Sequence, residues 1–380
     1  MGQLGPKSEL WTKWANEYEK LNPDIDIELL LTPEPYYDTL QVWMAGGVCP
    51  DIMWMGTDFF SFVNQLLPLN SLYEKNTDIK QILPSMISAH SWQGKLLALP
   101  YGVNTHAVFY NKAAVAAAGV TIPDGWTWDD ALALGKHLTK DTNGDGKPDV
   151  WAYSFYFDAW WWNYSNQPVY ASDNSKVNID NPVTIAAIQF WANLRNGQYG
   201  VQSVPQYGSD ILNGRAVAGN KGVFDIPTYN NAPFDYDVAE MPSFELQGKE
   251  YYSTFCSAEM WTIWNGTKHA AEALDFMKYI MSEAKNSEMG QIGGIIPTQP
   301  SVAAKSFLNA ERPKNIKAFV NSLNYWNYGF YATPAYPVVK TIWSNQTWKD
   351  ILSLKTPAAV GVPELARQLN TALAEFAAKK

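Results

Sequence analysis

Pro50-Asp51-Ile52-Met53-Trp54-Met55-Gly56-Thr57-Asp58 decides the fold. Four consecutive apolar residues between Pro-Asp and Gly-Thr-Asp read as a short buried strand that ends in a turn. Upstream, Leu10, Trp11, Trp14, Tyr18 and Leu21 share one helical face, and Asn22-Pro23-Asp24 stops that helix. Residues 25–31, Ile-Asp-Ile-Glu-Leu-Leu-Leu, open with strict alternation and predict a strand, and 37–44 predict a second helix closed by Gly46-Gly47. Downstream the pattern gives a strand at 107–110, an alanine-rich helix at 112–118, and helices at 128–139, 183–196 and 270–282. Strands alternating with helices predict an α/β protein whose sheets are covered by helices. A chain of 380 residues is expected to form two lobes. With no Ser/Gly/Pro-rich linker between halves, the chain is expected to cross between lobes near 110–113, 261–267 and 310–315. This predicts lobes of 1–110 plus 265–312 and of 111–264 plus 313–380.

The net charge is −9 and no stretch gathers Lys or Arg on one face, which argues against nucleic acid or anionic lipid as partner. No apolar run is long enough to span a membrane. Two cysteines, Cys49 and Cys256, lack metal-ligand spacing and read as separate buried thiols, with one long-range disulfide as the alternative. Catalytic signatures are missing: there is no nucleophile elbow, no His-Glu-x-x-His and no phosphate loop. The four histidines are scattered. No cofactor is required by any of this.

Two constellations point to ligands. Asp141, Asn143, Asp145, Lys147 and Asp149 stand at positions 1, 3, 5, 7 and 9 of a calcium-type loop with Gly146 at the sharp turn, which predicts a structural Ca²⁺. Position 12 is Ala152, however, and the plain alternative is an Asx-rich turn. The second constellation is aromatic: Trp, Tyr and Phe make up 14% of the chain. Trp160, Trp161 and Trp162 are consecutive and cannot all face one core, so some of these rings are expected at a surface. Trp326, Tyr328 and Tyr331 are interleaved with Asn and Gly. Rings beside amides and carboxylates suit sugars, whose C–H faces stack on them while the hydroxyls need paired donors and acceptors.

The order of segments resembles the family 1 extracellular solute-binding proteins of ATP-binding-cassette sugar importers, the group that includes maltose-binding protein. The matching stretches include 50–58, Leu99-Pro100-Tyr101-Gly102-Val103-Asn104-Thr105, Phe109-Tyr110-Asn111-Lys112, Trp126-Thr127-Trp128-Asp129-Asp130, Phe224-Asp225-Ile226-Pro227 and Gly293-Gly294-Ile295-Ile296-Pro297. The resemblance implies a two-lobed periplasmic-binding-protein-like fold of type II with the ligand in an interlobe cleft. It implies a monomeric receptor without catalysis that delivers an oligosaccharide to the membrane permease of an importer. It assigns ligand contacts to Glu34, Tyr36, Asp58, Asn104, Trp160, Trp161, Trp162, Phe224, Asp225, Glu259, Gly294, Trp326, Tyr328 and Tyr331. Where the family's usual aromatic beside Asp225 is tryptophan, this chain has Phe224. The expected location is extracytoplasmic, in the periplasm or lipid-anchored at the outer face of the cell membrane, with the signal segment absent from this chain. Family members open with a strand ahead of the first helix; here only about half a dozen residues precede it. A truncated chain or a sheet short of one strand is expected, with local rearrangement of the backbone groups left over. The rival expectation is a glycoside hydrolase or lyase using two of Asp58, Asp225 and Glu259 as acid and base.

Overall fold

The computed structural model describes residues 6–32, 35–155, 161, 164–165, 167–199, 201, 210–292, 294–308, 311–325 and 329–379. In chain order its main elements are α1 (Pro6–Leu21), α2 (Tyr36–Gly46), β1 (Ile52–Met55), β2 (Leu99–Asn111), α3 (Trp128–Leu138), β3 (Trp151–Tyr153) and α4 (Pro182–Arg195). They continue with β4 (Ala216–Gly222), β5 (Tyr236–Ala239), β6 (Cys256–Ile263), α5 (Ala270–Ile280), α6 (Glu283–Ile292), β7 (Ile296–Pro297) and α7 (Ala358–Ala378). The chain forms two compact units: Met1–Asn104 with Ser257–Ala310, and Thr105–Cys256 with Glu311–Lys380.

In the first unit β1 pairs antiparallel with β6, Ile52 opposite Ile263 and Met55 opposite Met260. β7 pairs antiparallel with the opening of β2, Ile296 opposite Val103. α1 turns Trp11, Trp14, Ala15 and Tyr18 inward at helical spacing. Tyr18 Oη donates to Asp275 of α5 at 2.6 Å and Trp14 Nε1 to Glu288 of α6 at 3.2 Å, so the polar tips of both rings are satisfied as they are buried. Residues 25–31 depart from expectation: they join no strand ladder, and the Ile27 N–H bonds instead to the Glu19 carboxylate of α1 at 2.8 Å. Alternation makes a segment fit to be a strand, but a strand exists only beside a partner.

In the second unit the later half of β2 is paired on both sides, with β4 from His106 opposite Gly222 to Tyr110 opposite Ala218, and with β5 from Val108 opposite Ala239 to Asn111 opposite Tyr236. β3 runs parallel to β4. The two approach closely at Gly219, where a Cβ would stand 2.3 Å from the carbonyl oxygen of Ser154. α3 starts at a capping box in which Thr127 Oγ1 accepts from Asp130 N and Thr127 N donates to the Asp130 carboxylate. The core of this unit is aromatic, with Trp126, Trp128, Tyr153, Phe155, Trp161 and Trp191 all buried.

The unit boundaries fall at Asn104/Thr105, Cys256/Ser257 and Ala310/Glu311, each somewhat earlier than the sequence suggests. The reason lies in β2, whose first residues pair with β7 and whose later ones pair with β4 and β5. Both cysteines are buried thiols that form no disulfide with each other.

Candidate functional site

In the first unit, Glu259 of β6 gathers donors from three directions. Its Oε1 accepts from Lys7 Nζ at 2.6 Å and from Asn104 Nδ2 at 3.5 Å. Its Oε2 accepts from Tyr101 Oη at 2.5 Å and from Trp54 Nε1 at 3.4 Å, and Trp54 Nε1 also lies 3.1 Å from Tyr101 Oη. Burial, and after it the Glu259 charge, pushes the Tyr101 phenol well above its usual range, so it stays a protonated donor. Through these bonds Glu259 orients Asn104, Tyr101 and Trp54. The acceptor left over is Asn104 Oδ1, buried without a hydrogen-bond partner in a residue 4% exposed. A buried carbonyl in that condition is a ready receiver for a ligand hydroxyl.

Asp58 lies half-buried in the 3₁₀ turn Thr57–Phe62 that follows β1. Gly294 is buried just ahead of β7 with φ +77°, a conformation that requires glycine. Tyr36 is buried, and its hydroxyl donates to the Trp54 carbonyl at 2.7 Å. That bond ties α2 to β1.

The second unit carries an aromatic face. The Phe224 ring is 43% exposed and lies over Gly222, whose absent Cβ would stand 2.3 Å from Phe224 Cε1. Behind it, His106 meets Phe224 edge-on at 5.8 Å and Phe255 at 4.9 Å, and Phe255 meets Tyr331 at 6.3 Å. Phe224 and Tyr331 thus belong to one chain of rings. Thr254 locks the backbone of His106, its hydroxyl accepting from His106 N at 3.0 Å and donating to His106 O at 2.9 Å. Burial, with the nearby Lys221 charge second, brings the His106 imidazole down to about 3, so it is neutral and can pack among rings.

Next to Phe224, Asp225 accepts from Gly222 N at 3.0 Å; burial raises its carboxyl against the opposing pull of Lys221 and that hydrogen bond. Lys221 is itself buried, and burial lowers its ammonium against Asp225 and Asp210. Sequence reasoning missed Lys7, Trp54 and Tyr101 in the first unit and His106 and Phe255 in the second. Trp54 and Tyr101 lie inside stretches already singled out, whereas nothing local marks the others.

The tryptophan run is corrected in part. Trp161 is 0% exposed, stacked on Trp191 at 5.0 Å and packed on Trp128 at 5.1 Å, so it is core and not platform. Packing on two further indoles gives this large ring more dispersion contact than an exposed position would. Glu34, Trp160, Trp162, Trp326 and Tyr328 lie outside the described residues.

The loop 141–149 folds on its own side chains. Asp141 accepts from Gly144 N and Gly146 N, Asn143 from Asp145 N, Asp145 from Lys147 N, and Asp149 from Thr142 and Asn143. Among the described residues no group of three or more His, Cys, Asp or Glu could hold a metal ion. The position that would supply a bidentate Glu is Ala152, buried in β3.

Residues 3–286 match the model of a family described as bacterial extracellular solute-binding protein. A maltotriose-binding protein of Pyrococcus abyssi is 24% identical over 252 residues, 64% of this chain and 53% of that protein. An arabinooligosaccharide-binding protein of Bacillus subtilis is 32% identical over 153 residues, 38% of this chain and 34% of its own length. The aligned stretches thus span about half or less of these two relatives. Among solved structures, an ABC substrate-binding protein of Listeria monocytogenes in complex with cycloalternan superposes at a TM-score of 0.79, with 20% identity and 96% of each chain covered. That likeness shows the mixed α/β periplasmic-binding-protein fold.

Proposed function

Because the chain belongs to the bacterial extracellular solute-binding protein family, whose members are non-catalytic receptors, we propose that it captures an oligosaccharide for an ABC importer. The observation that carries this reading is the Phe224 face: a ring 43% exposed, backed by His106, Phe255 and Tyr331. In the second unit Phe224 offers a stacking face for a sugar's C–H groups and Asp225 an acceptor for its hydroxyls; in the first, Asp58 and Asn104 Oδ1 are further hydroxyl acceptors. The loaded receptor then delivers its cargo to a membrane permease outside the cytoplasm. Relatives that bind maltotriose and arabinooligosaccharides support a ligand of several sugar units.

Isothermal titration against a panel of di- to tetrasaccharides, α-glucans and arabinans included, tests the proposal. A saturable heat with at least one of them is the expected result, and prolonged incubation should release no shorter sugar. A flat response across the panel would overturn it.

A further inference from the structure

In the second unit a short hairpin, Phe244–Leu246 paired antiparallel with Lys249–Tyr251, stands between β5 and β6 in the chain. Alternation divides its side chains between two faces. Phe244 is opposite Tyr251 on the inner face, and Phe244, Leu246 and Tyr251 pack on the core of the unit. The outer face sets Glu245 directly opposite Glu250, both exposed. Like charges so placed weaken a ladder. Among the described residues neither carboxylate forms an ion pair with Lys or Arg. The pair therefore does not serve the hairpin's own stability.

Two residues on from Glu250, Tyr252 donates its hydroxyl to the Glu250 carboxylate. Its ring lies on Tyr325 at 5.7 Å with 28° between the planes, and the Tyr325 hydroxyl is held in turn by Ser322 at 3.2 Å. Tyr325 thus backs one face of Tyr252, which is 37% exposed. Beside the two rings, Glu240 accepts from Asn321 Nδ2 at 2.7 Å. The Tyr252 phenol is raised first by its bond to Glu250, then by burial and by the charges of Glu250 and Glu240, so it stays a protonated donor to Glu250 and its oxygen is left to accept. An exposed ring backed by a second ring, with carboxylates at its edge, repeats the composition of the Phe224 face. The two lie close together: Phe255, one of the rings behind Phe224, follows Tyr252 by three residues, which reach at most about 11 Å.

We propose that Tyr252, backed by Tyr325 and edged by Glu250 and Glu240, is an outlying sugar subsite that only the longer oligosaccharides reach. This rests on the reading of the chain as a sugar receptor and extends it to the length of the ligand. One sugar unit lies on Phe224, and a later unit stacks its C–H face on Tyr252. The hydroxyls of that later unit donate to the carboxylates of Glu250 and Glu240 and to the Tyr252 oxygen.

The test is isothermal titration of the full chain with two neutral series, maltose to maltohexaose and arabinobiose to arabinohexaose. In the series that binds, the wild type is expected to gain at least tenfold in affinity with length. Tyr252→Ala should abolish that gain, losing tenfold or more with the longest sugar and less than twofold with the shortest, at an unchanged melting midpoint. Tyr252→Phe, which keeps the ring on Tyr325, should lose no more than threefold at any length. Equal loss at every length, no loss at any, or a wild-type affinity that does not rise with length would overturn the proposal. So would a loss that follows a fallen melting midpoint, because that makes Tyr252 structural. A wild type silent towards both whole series fails earlier, at the receptor reading, and takes the subsite with it.

Discussion

At the level of single side chains, exposure separates Phe224 from Trp161. Phe224 loses little core on truncation, so Phe224→Ala is expected to lower affinity for a responsive sugar tenfold or more, about 1.4 kcal/mol, with a small change in melting midpoint. Trp161→Ala removes a fully buried indole and is expected to cost about 3–5 kcal/mol in denaturant unfolding, with any loss of binding secondary to that. The sequence made the aromatic surplus visible and even required that three adjacent tryptophans not all face one way. It could not say which of them faces inward, because that depends on Trp128 and Trp191, distant in sequence and adjacent in space. Glu259 illustrates the same limit. A carboxylate near a binding loop reads as a ligand contact; that Lys7, Tyr101, Trp54 and Asn104 gather on it from distant parts of the chain shows only in three dimensions.

Elements follow local rules where their reasons are local. The helix expected at 128–139, the helical spacing in α1 and the strand β1 are all readable from neighbouring residues, and each forms as expected, the first of them opened by a capping box at Thr127 and Asp130. Residues 25–31 fail because pairing is non-local: alternation can be read from neighbours, whereas a ladder needs a second strand, and among the described residues 25–31 join none. The loop 141–149 has a metal-like spacing, yet its oxygens meet backbone N–H groups. EDTA is accordingly expected to leave the melting midpoint unchanged, and a fall on chelation would restore a cation to the loop. Asp149 is held below its usual range chiefly by the hydroxyl and backbone N–H of Thr142. Gly222 makes a sharper test of how an element presents the site. Gly222→Ala places a methyl group where the Phe224 ring now lies, and because that ring can swing away the expected result is lost sugar affinity in a protein that still folds.

On the scale of the whole molecule, each unit encloses a histidine kept neutral by burial. His90 in the first unit comes down to about 4, burial outweighing its bond to the Met86 carbonyl, and His106 in the second comes down to about 3. The unfolded chain takes up these protons near pH 6.5, before the folded one does, so stability is full above that pH and falls as pH drops towards 4. The slope is on the order of 1.4 kcal/mol per pH unit for each group. Melting midpoints measured from pH 7 to 4.5 should decline accordingly, and His90→Asn should flatten the decline; a flat wild-type profile would mean that these rings are accessible to protons.

Two of the three passages between units occur inside β2 and β6, strands whose residues are mostly buried, and not in loops. A protease needs an accessible, pliable segment to cleave, and neither passage offers one. Limited digestion of the native protein should therefore nick exposed turns and leave the junctions at Asn104 and Cys256 intact, so the two units will not be recovered as separate fragments by that route.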